Sequence, residues 1–303
     1  MAPDGHAIRR IDWPVEQKDA RGSILFYPGR GDTYEKYVET LAGWHGKGWR
    51  VTAADWRGQA GSGRLGMDGV TGHIGDFSIW LDDLAAFWTE WKRTTPSPHV
   101  LAGHSMGGQL VLRAVAEGRV DPDAVVLSAP MLGFYVPFLP HFLMPTIAWL
   151  MAKLGDPRRP AWKWNEKPGM PPEDRIDLLT HDPERYADEL WWRQARPELV
   201  MGPPSWGWMA AALASIGRLR TPGLLEKVSQ PVLILSTSDD RLVDFASVER
   251  AARRLPHGEF LRFGKEARHE ILREADPVRN KALAAIDEFL DRVAPSPHGV
   301  MTA

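Results

Sequence analysis

The stretch "LAGHSMGGQLVL", residues 101–112, places a serine between two glycines at the end of an apolar run. The run before it, His99 to Gly103, has the length and character of a buried strand. The run after it, Gln109-Leu110-Val111-Leu112-Arg113-Ala114-Val115, spaces its apolar residues for one face of a helix. Ser105 therefore falls in the turn between strand and helix, flanked by Gly103 and Gly107 in a Gly-x-Ser-x-Gly pattern. A turn that sharp strains the backbone and exposes the serine hydroxyl. Glycine is needed on either side because a Cβ there would strike the neighbouring strand or helix. The five residues alone also describe an ordinary Gly-rich turn; the strand before them and the helix after give the pattern its weight.

The rest of the chain alternates in the same way. Strands are expected at Ser23 to Tyr27, Trp49 to Ala54, His99 to Gly103, Ala124 to Ser128, Pro231 to Ser236 and Glu259 to Phe263, with Ile8 to Trp13 added at an edge. Most are unbroken apolar runs, as in a parallel sheet covered on both faces. Helices are expected between them at Thr33 to His45, Asp76 to Trp91, Met106 to Glu117, Phe245 to Arg254 and Asp276 to Val293. The alternation predicts an α/β protein with a doubly wound, mostly parallel sheet.

Between Met131 and about Arg220 the alternation fails. The stretch is rich in Pro, Met and Trp, with helical pieces at Pro183 to Gln194 and Trp206 to Ile216. A loop of that length without structure would be implausible. The expected organisation is a core of residues 1–130 and 221–303 with a helical cap inserted at 131–220. The cap holds seven of the fourteen tryptophans: Trp149, Trp162, Trp164, Trp191, Trp192, Trp206 and Trp208. Most are expected to form the cap's own core and a minority to line a ligand cavity. Within the cap, Met131 to Leu154 carries no acidic residue and a single basic one, Lys153. Pro137, Pro140 and Pro145 interrupt it, which argues for broken apolar helices over a pocket rather than a membrane span.

Composition narrows the function. The 303 residues are 44% hydrophobic and 25% charged, as in an ordinary globular protein. A net charge of -2 gives no argument for nucleic acid or a strongly anionic membrane surface. The absence of cysteine excludes disulfides, thiolate metal sites and cysteine nucleophiles. The first residues, Met1-Ala2-Pro3-Asp4-Gly5-His6, lack the basic-then-apolar order of a signal peptide, so a cytoplasmic location is expected.

A serine nucleophile needs a base, and the base needs an acid to orient it. In sheets bearing a serine on such a turn, the chain order is Ser, acid, His. "PVLILSTSDDRLVD" supplies Asp239 and Asp240 directly after the strand at Pro231 to Ser236. "EFLRFGKEARHEIL" supplies His269 six residues after Phe263. Of the histidines that follow the acid, His257 precedes the last strand and His298 lies in the terminal tail, which leaves His269. Oxyanion donors are expected from the backbone N–H of Met106, at the start of a helix, and of Arg30, in the loop "PGRGD" (Pro28 to Asp32).

Together "GHSMGG", "YPGRGDTYEKY", "DWRGQAGSGR", "SDDRLVD" and "RHEIL" resemble the monoacylglycerol lipase-like and bacterial lysophospholipase branch of the α/β-hydrolases, over about residues 8–293 and most weakly in the cap. The resemblance implies an α/β-hydrolase fold with Ser105 as nucleophile and His269 as base. It places the acid immediately before the Arg-Leu-Val step, selecting Asp240 over Asp239, and puts Arg30 and Met106 at the oxyanion positions. It implies a Ser-His-Asp esterase working through an acyl-enzyme, with no cofactor and no metal. The expected partners are a monoglyceride or lysophospholipid substrate and transient membrane-surface contact through the cap. Two positions depart from the family pattern: Pro28 stands where many relatives have His, and Ala60 where Gly is usual. The first is expected to alter hydrogen bonds behind the oxyanion loop, the second to tighten a turn.

Other readings on the same scaffold are weighed against this one. They are a small-ester carboxylesterase, a non-catalytic receptor that would have no use for the serine or histidine, and a dehalogenase that would need Asp at position 105. A fourth is an aminopeptidase-like enzyme that would want acids in the cap to hold an amine. The candidates for that role, Glu173, Asp174, Asp177, Glu184, Asp188 and Glu189, read as solvated helix faces.

Overall fold

The computed structural model describes residues 2–16, 20–136, 142–162 and 175–296. Its strands are β1 (Arg10–Trp13), β2 (Gly22–Tyr27), β3 (Trp49–Ala54), β4 (His99–His104), β5 (Ala124–Ser128), β6 (Val232–Thr237) and β7 (Gly258–Phe263). They form one seven-stranded sheet in the order β1-β3-β2-β4-β5-β6-β7, with β1 antiparallel to β3 and the remaining neighbours parallel. The helices are α1 (Val38–Gly46), α2 (Ser78–Thr94), α3 (Met106–Ala116), α4 (Met144–Lys153), α5 (Ile176–Leu179), α6 (Pro183–Ala195), α7 (Trp206–Leu219), α8 (Phe245–Ala252) and α9 (Asp276–Val293). Each strand expected from the sequence is present, with ends shifted by one or two residues.

Successive strand side chains point to opposite faces, and here both faces are apolar. On one, Leu25, Leu101, Val125, Leu127 and Ile234 meet the tryptophans of α2 and the leucines of α3. On the other, Ile24, Phe26, Val100, Val126 and Leu235 meet Leu41 and Trp44 of α1 and Ile286 and Phe289 of α9.

Between β5 and β6 the chain forms α4 to α7 instead of a single crossover helix. Trp208, Ala212, Ile216 and Leu219 of α7 pack into the same apolar layer as α2 and α3. The tryptophans here depart from the expectation of a cap core. Trp149, Trp162 and Trp191 are each more than half exposed, and Trp208 is the buried one, within the layer on the sheet. Trp164, Pro137 and Pro140 lie outside the described residues. No helix among the described residues is long and apolar enough to cross a membrane.

One helix boundary also differs. The helix expected from Thr33 begins as a 3-10 turn, Tyr34–Tyr37, and becomes α-helical only at Val38. Three residues per turn place Tyr34 directly above Tyr37, and both are buried.

The strand order reverses at β2, whose chain goes to β3 on one side while β4 lies on the other. Ligands of open α/β sheets bind beyond the strand ends at such a reversal. Register aligns those ends, pairing Tyr27 with Gly103 and His104 with Ser128. The crossing of β4 into α3 leaves no room for side chains. A Cβ on Gly103 would lie 2.8 Å from the Gly107 carbonyl carbon, and one on Gly107 would lie 2.4 Å from the Pro28 carbonyl oxygen. By contrast, a Cβ on Gly43, in α1, would meet nothing within 4 Å. Gly43→Ala should therefore stabilise the protein by about 0.5–1 kcal/mol. Gly107→Ala should cost about 3 kcal/mol, lowering Tm by about 5 °C or more. Calorimetry of the two variants checks this, and a Gly107→Ala protein melting at or above the parent would show that the crossing has slack.

Candidate active site

Ser105 sits at φ 52°, ψ −118°, outside the regions that residues with a Cβ normally occupy. Three backbone hydrogen bonds hold it there: its N–H donates to Ser128 O (2.9 Å), and its carbonyl accepts from Gln109 N (3.0 Å) and Met131 N (2.9 Å). The imidazole of His269 lies with Nε2 3.0 Å from Ser105 Oγ and Nδ1 2.7 Å from Asp240 Oδ2. The other carboxylate oxygen of Asp240 accepts from Leu242 N (2.8 Å) and Val243 N (2.9 Å), which fixes its rotamer. Asp239 turns away to pair with Arg268. His257 is at the opposite end of the sheet, where its carbonyl accepts from the first residue of β6. His298 lies outside the described residues.

The two expected oxyanion residues flank the serine. Met106 opens α3, where the first N–H groups have no partner within the helix. Arg30 follows Gly29, whose Cβ, if it had one, would come within 3.1 Å of Ser105 Cβ. The Arg30 side chain reaches Gly202 O (2.5 Å) and lies over the Trp208 ring. The later loop braces this one: Gln59 Oε1 accepts from Gly31 N (2.8 Å), and the Trp56 indole donates to Pro28 O (3.0 Å). Ala60, which follows Gln59 in this loop, takes φ 43°.

Beneath the histidine lies a buried charge network that the sequence reading missed. The Lys36 ammonium touches Asp32 (2.8 Å), Glu189 (2.9 Å) and Glu270 (2.6 Å). Arg273 completes it, 2.7 Å from Glu270 and 3.4 Å from Glu189. Glu189, expected on a solvated face of α6, is instead buried. Nothing in its own helix distinguishes it from Glu184; its partners lie on distant segments. The local signals available were the spacings of Asp32 and Lys36, of Glu189 and Arg193, and of Glu270 and Arg273. Glu173 and Asp174 are outside the described residues.

Burial would raise the three carboxyls, but the Lys36 ammonium overrides it and holds each below the ordinary carboxylate range. Asp240 behaves similarly: burial would raise it, and His269 together with the two backbone N–H donors keeps it low. His104 rests against His269 with ring centroids 4.8 Å apart; burial, and then the neighbouring imidazole, push it down to about 4, so it stays neutral at pH 7. For His269 burial acts downward, and the Asp240 carboxylate more than offsets it, so the imidazole titrates above its ordinary value.

These groups open onto a cavity of about 340 Å³ lined by Ser105, His269, Met131, Phe134, Trp208 and Leu242 among others. A hydroxyl, an imidazole and an ionised carboxylate in one hydrogen-bonded line, beside a helix start and an apolar space, are the groups that acyl transfer calls for.

Residues 18–276 match the family model described as serine aminopeptidase, S33. The chain belongs to this family of α/β-hydrolases. It is 32% identical over 284 residues to lysophospholipase L2 of Escherichia coli, covering 89% of this chain and 80% of that protein. To the monoacylglycerol lipase of Mycolicibacterium smegmatis it is 26% identical, covering 85% and 84%. A solved structure of a soluble variant of Saccharomyces cerevisiae monoglyceride lipase, bound to a substrate analog, superposes with a TM-score of 0.75. The match covers 96% of this chain and 93% of that one at 22% identity, a likeness of fold.

The direction of the His269 shift gives a direct test. A raised imidazole adds stability that is complete below the unfolded-state pKa of about 6.5 and is lost as pH rises through the folded-state value. In an NMR titration His269 should have its midpoint above about 6.5 in the parent and in Asp239→Asn. In Asp240→Asn the largest charge opposing burial is gone, leaving only the more distant Glu270 and Asp32, and the midpoint should fall clearly below that of the parent. A midpoint that moves in Asp239→Asn and not in Asp240→Asn would reverse the pairing.

Proposed function

We propose that the protein is a serine carboxylic-ester hydrolase that cleaves single-chain glycerolipids, monoacylglycerols or lysophospholipids, through an acyl-enzyme. The observation that carries the reading is the hydrogen-bonded line from Ser105 through His269 to Asp240, opening onto an apolar cavity. In this mechanism His269 takes the proton of Ser105 as Oγ attacks the ester carbonyl. Asp240 holds the imidazole in the required tautomer and stabilises the imidazolium. The N–H groups of Met106 and Arg30 receive the oxyanion. His269 then protonates the departing alcohol, and water, activated by the same imidazole, releases the fatty acid. The names of the relatives support a lipid ester, and so do the apolar side chains of the cavity wall.

An aminopeptidase would need an uncompensated acid to hold the substrate's amine. Asp32 and Glu270 reach the cavity, but both are committed to Lys36. The segment 131–220 acts in this reading as a cap that shelters the acyl chain. Its α4 and flanks turn Phe142 (77% exposed), Trp149 (58%), Leu150 and Leu154 (59%) to solvent, an apolar patch suited to resting on a lipid surface.

Two experiments test these assignments. Ser105→Ala should stay folded and lose on the order of 10⁴ or more in esterase rate, and Asp240→Asn about 10³–10⁴, with Asp239→Asn close to the parent. Ser105→Ala activity within tenfold of the parent would remove the nucleophile assignment. Separately, Trp149→Asp with Leu150→Asp should weaken co-sedimentation with phosphatidylcholine vesicles about tenfold or more, since each apolar side chain withdrawn from lipid forfeits about 1.5–3 kcal/mol. Unchanged co-sedimentation would leave α4 without that role.

A further inference from the structure

The cavity at Ser105 has two chemically distinct walls. Met131, Phe134, Val136, Met209 and Leu242 make one wall apolar. Around His269 lie the polar groups of the lining, Asp32, His104, Glu270 and Arg175, beside Leu179 of α5. Arg175 is the residue immediately before α5, and α5 is fastened to the histidine loop. Glu270 N donates to Leu179 O (2.8 Å), His269 N to Leu178 O (3.4 Å), and the Thr180 hydroxyl to Arg273 O (2.8 Å). Arg175 therefore lines the cavity from the histidine side.

Chemistry says what belongs on that side. The imidazole that takes the serine proton must return it to the departing alcohol oxygen, so that oxygen lies within hydrogen-bond reach of His269 Nε2. The alcohol half of the ester then extends along the wall that His269 shares with Arg175, while the acyl half takes the apolar wall. The acids on the polar wall do not call for a cationic head group, because both are already ion-paired, Asp32 with Lys36 and Glu270 with Lys36 and Arg273. Arg175 lies close enough to Glu189 to help hold that carboxyl low. A guanidinium has five N–H donors in a planar fork, so it can serve one carboxylate and still grip a second oxyanion. Arg30 adds another positive group to the cavity wall.

The geometry points to Arg175 as the residue that binds the phosphodiester of a lysophospholipid, making a glycerol that carries a phosphate, rather than plain glycerol, the alcohol this site is shaped to release. This rests on reading Ser105 as the nucleophile of a lipid-ester hydrolase. The step is ordinary acyl transfer. The acyl carbon–oxygen bond breaks, the acyl group passes to Ser105 Oγ, and the serine proton leaves through His269 on the glycerol oxygen; the phosphodiester stays intact and is held, not attacked.

The test compares two esters of one acyl chain, 1-decanoyl-glycerophosphoglycerol and 1-decanoylglycerol, presented as monomers. The readout is the ratio of their kcat/KM values. Arg175→Gln should lower the ratio about ten- to a hundredfold, as loss of a charged hydrogen-bond partner does. Arg175→Lys, which keeps the charge, should retain most of the ratio. The proposal is overturned if the ratio in Arg175→Gln stays within about threefold of the parent, including through equal losses on both esters, which would mean a purely structural role. It is overturned too if Arg175→Lys falls as far as Arg175→Gln. Failure of the underlying reading looks different: the parent would then cleave neither lipid and would not be labelled by a fluorophosphonate.

Discussion

Everything at the candidate site hangs on one steric constraint, the passage of β4 into α3 beneath the loop that follows β2. At that point two strand ends and a helix start converge so closely that Gly29, Gly103 and Gly107 have no space for a Cβ. Ser105, between these glycines, keeps a backbone conformation that costs about 1–3 kcal/mol, held by the packing around it. Its hydroxyl consequently has one direction to point, out of the sheet toward His269. The same convergence brings the Arg30 peptide and the first turn of α3 beside it. The proposed nucleophile and oxyanion donors are thus set by backbone packing, with few rotamers to freeze when substrate arrives.

The loops carrying His269 and Asp240 have no such constraint and are fixed by polar contacts instead. Thr237 Oγ1, at the end of β6, lies 2.7 Å from the Gly264 carbonyl and 3.0 Å from that of Ala267, tying the two loops together. Below them the five charges around Lys36 join the 3-10 turn, the histidine loop and α6. Burying so many charges is expensive, and such a cluster is weak evidence for stability. Its effect is geometric. Each member is held by partners from other segments, so removing one would leave others uncompensated in a low dielectric, and the loops it joins cannot drift independently.

How much of this was legible in the sequence follows from the range of the forces involved. The strands of the sheet were readable because burial on both faces writes an unbroken apolar run, a local signature. The Ser105 turn was readable because its glycines are within two residues of it. Asp239 and Asp240 were both plausible by position. Consecutive residues after a strand end point in different directions, and only the fold, or a resemblance to proteins already folded, separates the one aimed at His269 from the one that meets Arg268. Glu189 was read as solvated because its helix looks amphipathic; what buries it is Lys36, a partner invisible to any local pattern. The tryptophans between β5 and β6 misled for a related reason. Aromatic content implies burial somewhere, and here the chain leaves Trp149 and Trp191 in solvent while Trp208 joins the layer on the sheet.

In the proposed mechanism the balance of charge around His269 has a functional sense. A base that must be neutral at rest and cationic in the transition state needs a carboxylate near enough to stabilise the cation, yet not so much negative charge that it is already protonated at pH 7. Asp240, Glu270 and Asp32 all act to raise the imidazole. Burial opposes them, and Lys36 and Arg273 occupy Glu270 and Asp32 before their charge can act on the ring at full strength. His104, neutral and buried against the imidazole, adds a face without adding a charge. One carboxylate, that of Asp240, is left hydrogen-bonded directly to Nδ1. The network that looked like a liability for stability thus leaves Asp240 as the foremost, not the sole, charge acting on His269.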